Sequence, residues 1–147
     1  MARTVAEIVV GLEALTADDF DDDNALADGP ERLYDLCDDI AASEDRAACA
    51  QAMFALMERL DVAELGTPGP LVHTLERWRG QYEVWLSESL RRKPSPLSVW
   101  MANRILNGDP ADPQAWLMLL EQVREHPAAS AATKVEAAGF LEFQHSR

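Results

Sequence analysis

Apolar residues recur along most of the chain at the three- and four-residue spacing of amphipathic helices. The first stripe follows Thr4, and Glu7 stands three residues later, which together form the capping box of a helix start. A first helix is therefore predicted over about residues 5–15. No segment alternates apolar and polar residues over a useful length, and no β-branched run is bounded by hairpin turns, so strands are not expected.

A second helix is predicted over about residues 29–42, with Pro30 in its first turn, where the missing N–H does no harm. Its apolar residues share one side of the helix, and they are Leu33, Leu36, Cys37 and Ile40. Its acidic residues share the other side, with Glu31, Asp35 and Asp38 stacked along it and Asp39 beside them. The helix thus combines an inward apolar stripe with an outward acidic one.

A third helix, with Ser43 as its predicted N-cap, runs to about Leu60 and is apolar around more than half of its circumference. It is expected to lie in the centre of the core. The strongest break in the chain follows at Gly66–Pro70. Neither side of this break is long enough to build a comfortable core alone, so we interpret it as a turn within one domain, residues 1–147.

Five further helices are predicted after this turn. The fourth ends near Gly80, the fifth stops at Pro94, the sixth runs from Ser95-Pro96 to Asn107-Gly108, the seventh from Asp112-Pro113 to His126-Pro127, and the eighth begins near Ser130. In the eighth helix, the residues expected to face inward are Val135, Ala138, Phe140 and Leu141. The pattern as a whole predicts an all-α fold, a single compact domain of seven or eight short antiparallel helices arranged as a bundle or a short solenoid-like array.

Charge is distributed unevenly along the 147 residues, whose net charge is −13. Residues 1–70 contain 17 Asp or Glu against 4 Arg, whereas residues 71–147 contain 9 acidic against 9 basic residues. An acidic half, residues 1–65, is thus joined by the Gly/Pro turn to a charge-balanced half, residues 70–147. A negative field of this kind disfavours nucleic acid and anionic membrane surfaces and attracts a basic protein.

The acidic residues that are candidates for binding a partner lie in two segments. They are Asp18, Asp19, Asp21, Asp22 and Asp23 before the second helix, and Glu31, Asp35, Asp38 and Asp39 on its outward side. The first run resembles a calcium-binding loop, but Asn24 stands where Gly is required and Pro30 where a bidentate Glu is required. No metal site is therefore expected. A charged run that only maintains solubility is the alternative.

Residues that could carry catalysis are sparse. The chain contains none of the motifs of nucleophilic, zinc-dependent or phosphate-binding enzymes. His73 is interpreted as a capping or core residue, and Cys37 and Cys49 as buried reduced thiols. The carboxylates of the second helix could serve a magnesium-dependent nucleotide hydrolase, but they lie opposite the apolar stripe instead of facing a cleft. The sequence therefore predicts a protein that is not an enzyme and needs no cofactor.

Arg104 is the one basic residue that falls between apolar neighbours, Trp100 and Met101, on a helix expected to be buried. A buried guanidinium needs a carboxylate partner because its desolvation is costly. We therefore predict a structural ion pair of Arg104 with Glu76 or Glu83.

The N-terminal segment indicates the compartment. Its short apolar run, Ile8–Val10, is enclosed by Glu7 and Glu13 and is too short for an export signal. No stretch approaches the roughly 20 apolar residues of a membrane span. A cytoplasmic location without membrane association is expected.

Four stretches of the second half resemble a segment of the small all-helical immunity proteins of bacterial polymorphic toxin systems. They are Leu71–Glu76, Tyr82–Leu86, Ser89–Pro94 and Trp100–Asn107, about a quarter of the chain. The resemblance implies a cytoplasmic protein that binds and neutralises a cognate toxin. It also implies a basic partner surface, because many such toxins are nucleases with basic substrate grooves.

Two functions from different classes are thus predicted for the chain. The first is an immunity or inhibitor protein whose acidic helical surface binds a basic toxin domain. The alternative is a helical adaptor that binds a peptide in a groove anchored by Trp78, Tyr82 and Trp85.

Overall fold

Within residues 2–147, which the computed structural model describes, every regular element is helical. The eight α-helices of this range are α1 (Val5–Ala14), α2 (Gly29–Ala42), α3 (Arg46–Arg59), α4 (Gly69–Glu76), α5 (Tyr82–Arg92), α6 (Pro96–Asn107), α7 (Pro113–Arg124) and α8 (Ala131–His145). A short 3₁₀ helix, η1 (Ala17–Phe20), follows α1. The prediction of an all-α fold of short helices is confirmed.

The contacts of the chain gather into two compact units. The N-terminal unit ends at Glu83, and the C-terminal unit comprises Val84–Arg147. The N-terminal unit holds 19 Asp or Glu against 6 Arg, and the C-terminal unit holds 7 acidic against 7 basic residues. The whole net charge therefore belongs to the N-terminal unit. The interpretation of residues 1–147 as one domain stays a prediction.

In the N-terminal unit, α1 and α2 form an antiparallel pair. The Arg3 guanidinium, just before α1, lies 2.7 Å from the Asp39 carboxylate in the last turn of α2. At the other end, the start of α2 at Gly29 lies against Asp19, which follows α1. The capping box of Thr4 and Glu7 that begins α1 is present as predicted.

Helix α3 lies in the centre of the N-terminal unit, as its wide apolar surface predicts. Its buried residues are Cys49, Ala50, Met53, Phe54, Leu56 and Met57. The predicted start of this helix is wrong, because Asp45 instead of Ser43 is the N-cap and its carboxylate accepts a hydrogen bond from Ala48 N. Ser43 forms a local turn in which its hydroxyl accepts a hydrogen bond from Asp45 N. Ser43 and Asp45 are both residue types that cap helices well, and the second of them is the one that begins α3.

The end of α1 is held by a side chain of α3. The Arg59 guanidinium donates hydrogen bonds to the carbonyl oxygens of Leu15 at 2.8 Å and Leu12 at 3.1 Å. Leu12 belongs to the last turn of α1 and Leu15 is its C-cap residue, whose N–H also donates a hydrogen bond to the Leu12 carbonyl at 3.2 Å. The helix dipole favours a cation at this end. Arg59 thereby adds two hydrogen bonds to the end of α1 and joins α1 to α3.

In the C-terminal unit, α6, α7 and α8 pack on one another around a core of aliphatic side chains. The predicted starts of these helices are confirmed, because Ser95, Asp112 and Ser130 each accept a hydrogen bond from a backbone N–H of the first turn. The carboxamide of Gln144 in α8 donates hydrogen bonds to Asn103 and Asn107 in α6, at 2.7 and 2.8 Å. These bonds fix the register of α8 against α6.

The inward side of α8 differs from the prediction. Its buried residues are Thr133, Ala137 and Leu141, whereas Val135 is 72% exposed and Phe140 only half-buried. Helix α8 packs against both α6 and α7, and the inward position predicted for Leu141 is confirmed. Val135 instead lies on the outer surface.

Candidate functional site

The acidic run between α1 and α2 is ordered by its own carboxylates. Asp19 accepts a hydrogen bond from Thr16 N at 2.8 Å and so caps η1. Asp21 accepts one from Asp23 N at 2.9 Å, and Asn24 accepts one from Leu26 N at 3.1 Å. Such turns, closed by Asp and Asn side chains, give the run a defined shape.

This acidic loop, residues 18–23, is held against the first turn of α2. The side chain of Phe20, which belongs to this loop, is buried and anchors the loop to the core. A Cβ atom on Gly29 would lie 2.5 Å from the carbonyl oxygen of Asp19, so only glycine permits the observed approach. The Arg32 guanidinium adds an ion pair, 3.5 Å from the Asp19 carboxylate. The two acidic segments predicted from the sequence are thus neighbours.

The outward side of α2 carries three exposed carboxylates, Glu31, Asp35 and Asp38, at helical spacing. Tyr34 lies beside them and is 55% exposed. The opposite side of the helix buries Leu33, Leu36, Cys37 and Ile40, as predicted. The acidic side of α2 therefore faces solvent and does not converge on a cleft.

Two of the nine predicted partner-binding residues, Asp19 and Asp39, are already engaged. Both are partly buried, and each pairs with an arginine of the same unit. The backbone N–H of Thr16 lowers the pKa of Asp19, and the hydrogen bond from Arg3 lowers the pKa of Asp39. These carboxylates stabilise the fold, as does Asp21 through its turn.

The other six candidates form what we term the acidic surface. They are Asp18, Asp22, Asp23, Glu31, Asp35 and Asp38. All six are exposed, and none has a basic partner among the described residues. The surface is therefore negative and free of internal ion pairs.

The aromatic anchors predicted for a peptide-binding adaptor lie elsewhere than expected. Trp78 is 4% exposed and Tyr82 5% exposed, so both belong to the core of the N-terminal unit. Trp85 is half-buried. The prediction of a groove anchored by these three side chains is wrong for Trp78 and Tyr82.

The prediction of a buried Arg104 is also wrong. The side chain is exposed, and its guanidinium lies over the ring of Trp100, 5.4 Å from the centroid. Glu83 accepts hydrogen bonds from Gly80 N at 2.8 and 3.1 Å. The pairing of Arg104 with Glu76 or Glu83 stays a prediction, but it is no longer required to compensate a buried charge.

The cysteine and histidine side chains occupy structural positions. Cys37 and Cys49 are free and buried, as predicted, and burial raises the pKa of the Cys37 thiol to about 11. His126 bridges two segments, since its Nε2 lies 2.6 Å from the carbonyl oxygen of Arg91 and its Nδ1 accepts a hydrogen bond from Ala128 N. His73, by contrast, is exposed on α4, so its interpretation as a core residue is wrong.

Residues 2–147 contain neither a candidate metal site nor a candidate membrane span. No group of three or more His, Cys, Asp or Glu side chains in that range is arranged to hold a metal ion. None of the helices there combines the length and apolar character needed to cross a membrane.

A cleft between α6 and α8 is a feature that the sequence analysis missed. It has a volume of about 490 Å³ and is lined by Asn103, Asn107, Val135, Glu136, Gly139, Phe140 and Phe143. The signal was present as the i, i+4, i+8 spacing of Val135, Gly139 and Phe143, which places all three on one side of α8. Val135 was predicted to face inward, whereas it is 72% exposed at the edge of the cleft.

Comparison of the chain with protein-family models, curated proteins and solved structures finds no match.

Proposed function

We propose that this chain is an immunity protein that binds and neutralises the basic domain of a cognate bacterial toxin in the cytoplasm. The acidic surface is the proposed binding site. The observation that carries the proposal is the set of six exposed carboxylates without internal partners on the loop and outer side of α2. On this proposal the chain acts by occupying a surface of the toxin and catalyses no reaction.

Electrostatics supports a basic protein as the partner. The N-terminal unit carries all of the net charge of −13, so its field attracts cationic surfaces. Complementary charge raises association rate constants to roughly 10⁸–10⁹ M⁻¹s⁻¹ at low salt, compared with about 10⁵–10⁶ M⁻¹s⁻¹ for neutral pairs. An inhibitor that must capture a toxin before it acts benefits from such rates. The same field repels phosphate backbones and anionic lipid.

Tyr34 supports the position of the binding site. It lies among the exposed carboxylates of α2, and more than half of its side chain is open to solvent. Tyrosine is enriched among residues that dominate binding energy, because it buries a large apolar area and keeps a polar end. In this proposal the carboxylates orient the toxin and raise the association rate constant, and Tyr34 contributes much of the binding energy.

The experiment measures association with the C-terminal domain of a toxin encoded immediately upstream. Asp35→Lys combined with Asp38→Lys reverses two charges of the acidic surface. Glu88→Lys combined with Glu125→Lys changes the net charge equally, at exposed positions of the C-terminal unit. We expect the first variant to associate at least about tenfold more slowly at low salt, with the difference shrinking as salt is added, and the control to change less than about threefold.

Two outcomes would contradict the proposal. If both variants associate as wild type does, the acidic surface is not the binding site. If the neighbouring toxin domain is not basic, or the chain fails to protect cells that express it, the immunity function itself is wrong. Circular dichroism of each variant, before the binding measurement, establishes that the substitutions leave the helices intact.

A further inference from the structure

The cleft between α6 and α8 has the size and the lining of a small-molecule site. Its volume of about 490 Å³ lies within the range of about 300–1,000 Å³ that such sites occupy. Its apolar wall comes from α8, and its polar lining residues are Asn103, Asn107 and Glu136. A mostly apolar lining with a few polar groups is the usual composition of a ligand pocket. The polar groups therefore indicate which ligand fits.

A chain of hydrogen bonds fixes what the two asparagines present. Arg147 donates a hydrogen bond to Gln144 Oε1 at 3.0 Å, and because a guanidinium can only donate, this bond identifies the oxygen of the Gln144 carboxamide. Gln144 Nε2 then donates to the Oδ1 atoms of Asn103 and Asn107, at 2.7 and 2.8 Å. Each asparagine is thereby left with its Nδ2 group as a hydrogen-bond donor.

The Nδ2 donor of Asn103 opens into the cleft. The residue is only 9% exposed, and no acceptor for its Nδ2 is found within residues 2–147. No side-chain nitrogen of a buried residue in that range is both sealed from solvent and without a hydrogen-bond partner, so this Nδ2 must reach solvent. The cleft is the open space that Asn103 lines. A ligand that brings an acceptor to this point satisfies a donor that the fold itself leaves unpaired.

Gly139 leaves room for a flat ring on the other wall of the cleft. A Cβ atom on Gly139 would meet nothing within 4 Å, so packing within the chain does not require a glycine there. A glycine in a helix interior also costs stability relative to alanine. Phe140 and Phe143 line the cleft beside it. A planar ring that approaches the helix backbone at Gly139 can therefore pack against these two aromatic side chains.

The charge of the lining favours a neutral ligand. Among the described residues that line the cleft, Glu136 alone is charged. A phosphate or carboxylate would meet this negative side chain without a cation beside it to pair with. The Glu136 carboxylate can instead accept a hydrogen bond from an N–H of the ligand. The lining thus combines donors for a carbonyl group with an acceptor for an N–H.

We propose that the cleft binds a small, neutral, flat aromatic compound whose ring carries a carbonyl group beside an N–H, as in an aromatic lactam. The carbonyl oxygen accepts hydrogen bonds from Asn103 and Asn107, and the N–H donates to Glu136. The ring lies over Gly139, beside the two phenylalanines. This site belongs to the C-terminal unit and does not rest on the proposed binding of a toxin.

An NMR titration of the full chain with carbostyril, a flat bicyclic lactam, tests the proposal. A compound of this size is expected to bind with a dissociation constant on the order of 0.1–1 mM. The side-chain amide signal of Asn103 should shift on binding. Indole, which keeps the N–H but lacks the carbonyl, and N-methylcarbostyril, which keeps the carbonyl but lacks the N–H, should each bind at least about tenfold more weakly.

Gly139→Leu separates loss of the site from loss of the fold. Leucine fills the space proposed for the ring, so the affinity for carbostyril should fall at least about tenfold. Leucine is also a better helix former than glycine and meets no fixed neighbour at its Cβ, so the melting temperature should rise. Ala132→Leu adds a similar bulk at an exposed position of α8 that does not line the cleft, and it should bind as wild type does.

Two substitutions test the polar contacts. Asn103→Asp keeps the shape of the side chain and an oxygen for Gln144 but replaces the Nδ2 donor by an acceptor, so carbostyril binding should fall at least about tenfold. If circular dichroism shows that this buried change unfolds the chain, Asn107→Asp tests the same contact at an exposed position. Glu136→Ala should weaken carbostyril and leave N-methylcarbostyril unchanged, because the second compound has no N–H to donate.

Three results would overturn the proposal. The first is a chain whose cleft signals do not shift at about 5 mM carbostyril, above the expected range. The second is indole or N-methylcarbostyril binding as tightly as carbostyril, which would mean that the carbonyl or the N–H is not recognised. The third is a Gly139→Leu variant with wild-type affinity, which would place the ring elsewhere.

Discussion

Replacing Gly29 by alanine tests whether the acidic loop is fixed to α2 by close backbone packing. The new Cβ atom would lie 2.5 Å from the carbonyl oxygen of Asp19 and 2.8 Å from its carbon. The obstructing atoms are backbone, so no side-chain rotation relieves the overlap. The loop must move outward by about 0.5 Å or more to reach an ordinary separation.

The expected cost of Gly29→Ala follows from two opposing effects. Overpacking of this kind costs about 1–3 kcal/mol. Alanine in place of glycine returns about 0.5–1 kcal/mol in the middle of a helix, which is the upper bound here because Gly29 is the first residue of α2. The net expectation is a loss of about 1–2 kcal/mol, or about 3–8 °C in Tm for a chain of this size. Thermal unfolding followed by circular dichroism measures the change.

The same substitution at Gly139 provides the control for Gly29→Ala. No atom lies within 4 Å of the added Cβ, so Gly139→Ala should stabilise the folded monomer by about 0.5–1 kcal/mol when measured in dilute solution. If Gly29→Ala is as stable as wild type while Gly139→Ala behaves as expected, the loop is not held by the contact with Asp19. The acidic loop would then not be a fixed part of the acidic surface.

Three other predictions concern single side chains. Arg104→Ala should cost less than about 1 kcal/mol in chemical denaturation, because the guanidinium is exposed and makes a surface contact with Trp100. Asp19 and Asp39 have lowered pKa values, so each adds stability above its unfolded pKa that is lost as the pH falls through its folded pKa. The Tm should therefore drop as the solution is acidified below about pH 4, and less steeply in Asp39→Asn. The Cys37 thiol, with a pKa of about 11, should be inert to thiol reagents at neutral pH in the native protein and should react on unfolding.

Each of these predictions has a contrary result. A loss of several kcal/mol in Arg104→Ala would mean that the side chain is buried in solution. An acid slope identical in Asp39→Asn and wild type would mean that the pair with Arg3 adds no stability. Rapid labelling of native Cys37 would mean that α2 separates readily from its neighbours.

The elements of the fold were predictable wherever local rules and packing agree. In α2, the side that buries Leu33, Leu36 and Ile40 was evident from their spacing, because one stripe is apolar and the other charged. Capping residues placed the starts of α1, α6, α7 and α8. The start of α3 was misplaced by two residues, since Ser43 and Asp45 are both good capping residues and the Ser43 hydroxyl instead accepts a hydrogen bond from Asp45 N in a local turn.

The side chains at the surface of the C-terminal unit were predicted less well. Arg104 was expected to be buried because its helix is rich in apolar residues, yet it stacks on the outer side of Trp100. Val135 was expected to be buried because it is apolar, yet Ala137 takes the inward position. Hydrophobicity alone could not settle either case, because which residues of a helix face inward depends on how the neighbouring helices pack against it.

The sequence identified the acidic residues of the candidate site, but it did not reveal which of them pair with arginines and which stay unpaired. All nine acidic residues are where the sequence placed them, on the loop and on α2, and their charge alone suggested a single common role. The structure separates them, because Asp19 and Asp39 reach arginines that are 13 and 36 residues away along the chain. Pairings over such sequence distances depend on how the helices pack, which periodicity does not reveal.

The paired and the unpaired carboxylates differ in how freely they can be substituted. The side chains of Asp19, Asp21 and Asp39 hold turns and helix ends, so their replacement disturbs the chain that carries them. The six residues of the acidic surface make no such bonds, and exposed substitutions of this kind usually alter stability by less than about 0.5 kcal/mol. If the chain acts as the proposed immunity protein, these six positions can therefore change together with the toxin surface while the fold is retained.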